Sequence, residues 1–292
     1  MEGPTIAAGS PGYAICIWCG GNKGAAWLRC PRCERLPTAG AKLVMSRACS
    51  QRYSTVERLS ELSEAARRGE PIDTRTSMVP PPPLLGPDPD AVRVPGTVLV
   101  AKCARSPSAV LVELRTATDD LCDRREFLEL AARIALLLGT AEDADPAQAL
   151  EHPEIVADRA ALETRYGERI EIARHETLKL PQGTWLGTFE LAHVPPESIR
   201  EGRARLRGNL AVAAAAIATE PPLAKRTEIV DFANQLAEHT AMVAPEDHRA
   251  VLGQPFLLDP DVSVREACAI VERAVGARVE IVGLARLERA TI

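Results

Sequence analysis

Two cysteine pairs, Cys16-Ile-Trp-Cys19 and Cys30-Pro-Arg-Cys33, stand near the start of this chain with ten residues between them. A segment this short cannot close around an apolar core of its own, so four converging thiolates decide what it folds into. Two residues between the cysteines of each pair let a tight knuckle aim both sulfurs at one point. The spacer is long enough for a short hairpin that returns the second knuckle to the first. Four thiolates suit one tetrahedral metal ion, and the cofactor expected is Zn(2+). An iron site would use the same ligands, but tetrahedral sulfur without a redox partner motif is more often structural zinc.

The remainder of the 292 residues has to build an ordinary core. Hydrophobic residues make up 46% of the chain, yet aromatics only 3%, so the core is built mostly from Ala, Val, Leu and Ile, which favours helices packed closely through small side chains. No stretch reaches the roughly 18 apolar residues that span a bilayer, and no charged n-region precedes an apolar h-region at the N-terminus. The expectation is a cytoplasmic protein with no membrane partner. Four of the eight cysteines are committed to the metal and the rest are scattered, as suits a reducing compartment. The net charge of -5 is uneven. Residues 1–71 hold ten Lys/Arg against six Asp/Glu, a net of +4, leaving 25 against 34, or -9, for 72–292. Only the N-terminal part has a surplus that attracts phosphates.

Punctuation divides the chain into a leader over 1–13, a metal module plus helix over 14–70, a proline-rich linker over 71–96 and a body over 97–292. The predicted class is α+β, helix-rich, the body carrying a small antiparallel sheet. Ser54-Thr-Val-Glu57 has capping-box spacing ahead of Val56, Leu59, Leu62 and Ala66, with Gly69 placed to end the helix. Met78-Val-Pro-Pro-Pro-Pro reads as a stiff polyproline spacer or, as the rarer alternative, a docking site for a proline-recognising partner. Val98-Leu-Val-Ala and Ala109-Val-Leu-Val form a hairpin. Helices are expected over 119–138 and 146–166, the second ended by Gly167. Alternation around Ile170, Ile172, Leu178, Leu180, Trp185, Phe189 and Leu191 predicts an antiparallel sheet turning at Pro181-Gln-Gly183. A helix is expected over 198–218, another from Pro221 through Ile229, Leu236 and Thr240. A last one is capped by Ser263-Val-Arg-Glu266, ends at Gly276 and leads into the strand Val279-Glu-Ile-Val.

Residues 14–36 resemble a zinc ribbon. Cys19-Gly20-Gly21 matches the usual knuckle, whereas Cys33-Glu34 departs from it where glycine is usual, which leaves the second knuckle's geometry open. The resemblance implies a closed structural site with metal ligands Cys16, Cys19, Cys30 and Cys33 and no chemistry at the metal. Around it, Trp18, Lys23, Trp27, Arg29, Arg32 and Arg35 interleave basic and aromatic side chains, a surface that stacks bases and neutralises phosphates; the plainer role for the tryptophans is to cover the metal site. Arg200, Arg203 and Arg207 would share one face of the 198–218 helix and track a nucleic-acid backbone, unless that face is merely solvated. The acids around Cys122 suit a helix start, and neither the five histidines nor any phosphate-binding loop forms a catalytic pattern. A compact chain with an N-terminal cysteine-ligated metal site and a helical C-terminal part is also similar to the large subunit of a type IV CRISPR effector. The expectation is therefore a non-enzymatic zinc-binding subunit of a nucleic-acid-associated assembly, partnered by protein subunits and by RNA or DNA. The alternative is an assembly protein of a bacteriophage or other large particle, with the zinc site stapling an interface.

Overall fold

A computed structural model describes residues 13–37, 41–74, 95–103, 108–122, 124–140, 145–180, 183–192, 209–223, 227–245 and 247–290. The chain separates into two compact units. One joins Met1–Leu84 to Arg226–Asp231 and Leu252–Val279; the other comprises Leu85–Lys225, Phe232–Val251 and Glu280–Ile292. The metal module thus shares a unit with segments from the last quarter of the chain, which sequence patterning assigned to a separate body. The fold class is α+β, as expected.

In chain order the elements are β1 (Ala14–Ile15), β2 (Asn22–Lys23), α1 (Ala41–Ala48), α2 (Val56–Arg67), β3 (Thr97–Cys103), β4 (Ser108–Arg115), α3 (Arg125–Thr140), α4 (Pro146–Leu150), α5 (Pro153–Tyr166), β5 (Glu171–Lys179), β6 (Trp185–Ala192), β7 (Asn209–Glu220), α6 (Thr227–Val243), β8 (Pro255–Phe256), β9 (Asp259–Ser263), α7 (Val264–Val275) and β10 (Arg278–Glu288).

In the larger unit two three-stranded sheets, ordered β3-β4-β5 and β10-β7-β6, lie face to face. Leu99, Ala101 and Leu111 meet Val212, Ala214 and Leu287 between them. On the outer face of the first sheet Val98, Val100, Val110 and Val112 pack on Phe127, Leu130, Ala131, Ile134 and Leu138 of α3. On the outer face of the second, Ala211 and Ala213 meet Ala241 of α6. Strands covered on both faces read as continuous apolar runs, which is why Val98-Leu-Val-Ala and Ala109-Val-Leu-Val do not alternate. The β3–β4 hairpin forms as expected, antiparallel from Thr97↔Arg115 to Cys103↔Ala109.

Several expectations are corrected. Residues 209–220 form strand β7 at the centre of its sheet and not the end of a 198–218 helix. Ala213 to Ile217 are fully buried, and burial on both faces overrides the helical preference of an alanine run. Gly187, opposite Ala215, shows how tight the fit is: a Cβ there would lie 2.1 Å from the Ala233 carbonyl carbon of α6. Strands β5 and β6 do not pair as a hairpin; β5 adds to β4 and β6 to β7. Of the turn expected between them, Pro181 and Gln182 lie outside the described residues, as do the leader through residue 12 and most of the proline-rich segment. The expected 146–166 helix breaks at Glu151 and His152, because Asp145 and His152 each cap a separate helix with proline in its first turn. Thr55, one residue later than expected, caps α2 by accepting a bond from the Arg58 N–H at 3.2 Å. Helix α1 and the β8–β9 hairpin had no sequence expectation. The Ser263–Glu266 capping box of α7 and its left-handed Gly276 terminus are as predicted. Among the described residues no helix is long and apolar enough to cross a membrane.

Candidate metal centre

The two knuckles repeat one backbone pattern. The Cys16 N–H donates to the Gly21 carbonyl at 2.8 Å and the Gly20 N–H to the Cys16 carbonyl at 2.9 Å; the Cys30 N–H donates to Arg35 at 3.0 Å and the Glu34 N–H to Cys30 at 2.8 Å. Gly20 and Glu34 are therefore equivalent, and both occupy the left-handed region, with φ of 66° and 59°. The departure from glycine at Glu34 leaves the turn intact; the residue adopts the strained conformation.

Backbone N–H groups of Trp18 and Cys19 point at the Cys16 sulfur, those of Cys33 and Arg32 at Cys30, and that of Gly21 at Cys19. The four sulfurs lie within 4.8 Å of one another. Across the knuckles, Cys16 and Cys33 approach to 3.5 Å and Cys19 and Cys30 to 3.7 Å. A tetrahedron with metal–sulfur bonds near 2.3 Å has edges of about 3.8 Å, so the donor set fits a thiophilic tetrahedral ion without rearrangement. The neighbouring Cys16 sulfur and the backbone donors pull the Cys30 thiol down, while the Cys30 sulfur together with burial pushes Cys16 well up. Among the described residues this is the one cluster of three or more metal-ligating side chains. With all four ligands from the protein it offers no open position for a reacting molecule, and what it can do is hold the loop closed.

The surrounding elements fix the loop. Ser63 of α2 donates to the Gly20 carbonyl at 2.7 Å, and a Cβ on Gly20 would lie 2.2 Å from the Ser63 carbonyl oxygen. Ser46 of α1 donates to Ala26 O at 2.8 Å, and the Ile15 N–H donates to Cys49 O at 2.9 Å.

The candidate contact residues separate into interior and surface groups. Lys23 and Trp27, expected on a nucleic-acid surface, are 1% and 0% exposed. Lys23 Nζ donates to Ala26 O at 2.6 Å and Leu28 O at 3.2 Å. Trp27 meets Phe256 edge to face, ring centroids 5.1 Å apart. A module too small for a core of its own recruits its large side chains inward, so both are internal supports and not contacts for bases or phosphates. Burial pushes the Lys23 ammonium down to about 8, against the opposing electrostatic pull of the nearby cysteine sulfurs. Arg29 forms a two-point ion pair with Asp231 at 2.7 and 2.9 Å, which raises its pKa. Arg32 and Arg35 are exposed and Trp18 is partly exposed, the Arg35 guanidinium lying 5.9 Å from the Trp18 ring centre. Arg200, Arg203 and Arg207 lie outside the described residues.

The residues missed in the sequence are those that seat the module: Phe256, Asp231 and Asp261. Tyr53 donates to Asp261 Oδ2, Arg47 donates to Tyr53 Oη at 3.0 Å, and Arg52 donates to Asp261 O at 2.9 Å. These partners are about 200 residues away, and no local pattern marks them.

No protein-family model matches the chain. It is similar to elongation factor Ts of Agrobacterium fabrum, 28% identical over 226 residues covering 65% of this chain and 73% of that protein. It is also similar to elongation factor Ts of Rhizobium johnstonii, 27% identical over 234 residues with the same coverage, and to that of Rhizobium rhizogenes, 29% identical over 228 residues, again with the same coverage.

Proposed function

We propose that this chain is a non-enzymatic, zinc-binding protein subunit of the translation elongation machinery, a nucleic-acid-associated assembly, and that it works by docking to a protein of that machinery. The observation that carries the reading is the similarity to elongation factor Ts over 65% of the chain, found in three bacteria. The metal centre supports it in kind, since a closed four-thiolate site stabilises a binding module and leaves no coordination position for catalysis. Zinc is the occupant of choice because the sulfur tetrahedron suits a redox-inert ion with no geometric demand of its own. A CRISPR effector subunit and a phage assembly protein have no such support; neither is among the relatives found.

Two measurements test this. The purified full chain should contain one equivalent of zinc by elemental analysis, and a metal-free or iron-bearing protein removes that part of the reading. Tagged chain, mixed with the purified elongation factors of its host, should bind one of them with a stoichiometric, saturable isotherm by calorimetry and alter how fast that factor releases bound guanine nucleotide. Failure to bind any of them overturns the translation role.

A further inference from the structure

We propose that the outer tips of the two knuckles form a contact surface for single-stranded or looped RNA, with Trp18 stacking a base and Arg32 and Arg35 meeting the flanking phosphates. The matching backbone bonds of the knuckles place Trp18, two residues after Cys16, and Arg32, two residues after Cys30, at equivalent positions. They lie at the end of the site where Cys19 and Cys33 are partly exposed, while Cys16 and Cys30 are buried.

These side chains do little else. Arg29 is neutralised by Asp231, Arg58 by Glu61 and Arg68 by Glu70. Among the described residues no carboxylate pairs with Arg32 or Arg35. Arg32 makes one long bond, to Cys19 O at 3.4 Å, and Arg35 lies against the Trp18 ring. A partly exposed indole flanked by two unneutralised guanidinium groups matches a nucleotide, which presents a flat π-face between two negative charges. Charge along the chain agrees, the surplus of +4 in residues 1–71 setting this end apart from the acidic remainder. The choice of RNA over DNA rests on the translation reading above.

The test uses the zinc-loaded full chain and a fluorescein-labelled ten-nucleotide oligouridylate, read by anisotropy, with the deoxy oligomer of matching sequence alongside. Binding should be micromolar, and raising salt from 50 to 200 mM should weaken it roughly tenfold, as two to three phosphate contacts on a single strand require. Arg32→Glu with Arg35→Glu should abolish binding. Trp18→Ala should weaken it at least fivefold, within the range found for base stacking, and Trp18→Phe should restore most of it. Zinc content and circular dichroism of each variant separate lost contact from lost fold. No binding at 100 µM protein, a flat salt response, or unchanged affinity in the arginine variant overturns the proposal, and tighter binding of the deoxy oligomer overturns the choice of RNA. Because the translation role is read with purified protein factors, it survives a negative result here. If the arginine variant loses a protein factor while the wild type binds no RNA, the surface belongs to the protein partner and the proposal fails.

Discussion

Lys23 brings a positive charge into an interior where the negative charges acting on it are cysteine thiolates. An isolated buried ammonium is strongly unfavourable, and four thiolates around a divalent ion carry a net charge of -2 that offsets it. Lys23→Met keeps the length of the side chain and removes the charge. Ala26 O retains its bond from Ser46, so the structural damage is confined to Leu28 O. We expect zinc affinity, measured by competition with a chromophoric chelator, to fall about tenfold, since removing a nearby unit charge at an effective dielectric near 20 costs on the order of 1 kcal/mol or more. Unchanged affinity would show that the lysine only ties the loop carbonyls together. Glu34 gives a second test at this scale. Its φ of 59° is strained for a side chain with a Cβ, and Arg29 Nη1 bonds its backbone oxygen at 2.5 Å and not its carboxylate. Glu34→Gly should therefore stabilise the metal module by up to about 1 kcal/mol, read as a higher melting temperature of the zinc-loaded protein.

At the scale of elements, packing is tight where Gly187 of β6 meets α6. Gly187→Ala places a methyl 2.1 Å from the Ala233 carbonyl carbon and 2.3 Å from the Asn234 nitrogen, and backbone cannot swing aside as a side-chain tip can. The helix has to lift off the sheet, at a cost of about 3 kcal/mol or more, and chemical denaturation should report it as a lower midpoint. The same packing explains which elements were legible in the sequence. Helix α7 announced itself because its capping box, apolar period and terminal glycine are all local. Helix α3 did so through Phe127, Leu130, Ala131, Ile134 and Leu138. Strand β7 did not, because Ala211-Val-Ala-Ala-Ala-Ala-Ile reads locally as helix, and the small side chains are there to let sheet and helix approach on both faces, a tertiary fact. The β5–β6 hairpin failed for a related reason: adjacent alternating runs pair by default, and only the presence of two sheets sends one strand to each. Of the metal centre, all four ligands were legible from spacing alone. The inward turn of Lys23 and Trp27 was not, since their partners lie in a loop conformation and in a hairpin more than 200 residues away.

For the molecule as a whole, that distance changes what the metal holds together. A ribbon on a proline-rich tether would melt alone when stripped of its ion, leaving everything after residue 96 undisturbed. The structure instead seats residues 14–53 on the β8–β9 hairpin through Trp27 on Phe256 and Tyr53 and Arg52 on Asp261, and on the start of α6 through Arg29 on Asp231. Trp27 and Arg29 lie in the loop that the four cysteines close, and a structural metal's binding energy is in large part folding energy. Removing it should uncover the hairpin as well as the ribbon. Hydrogen exchange by mass spectrometry, before and after a zinc chelator, should therefore show protection lost together over 14–36 and 255–263, while β3, β4 and β5 exchange as before. Restoring one equivalent of zinc should return both segments in step. If the ribbon opens and 255–263 keeps its protection, the contacts across those 200 residues contribute little to holding the hairpin. If β3 to β5 open as well, the metal stabilises the whole chain, and the division into two compact units does not describe how it unfolds.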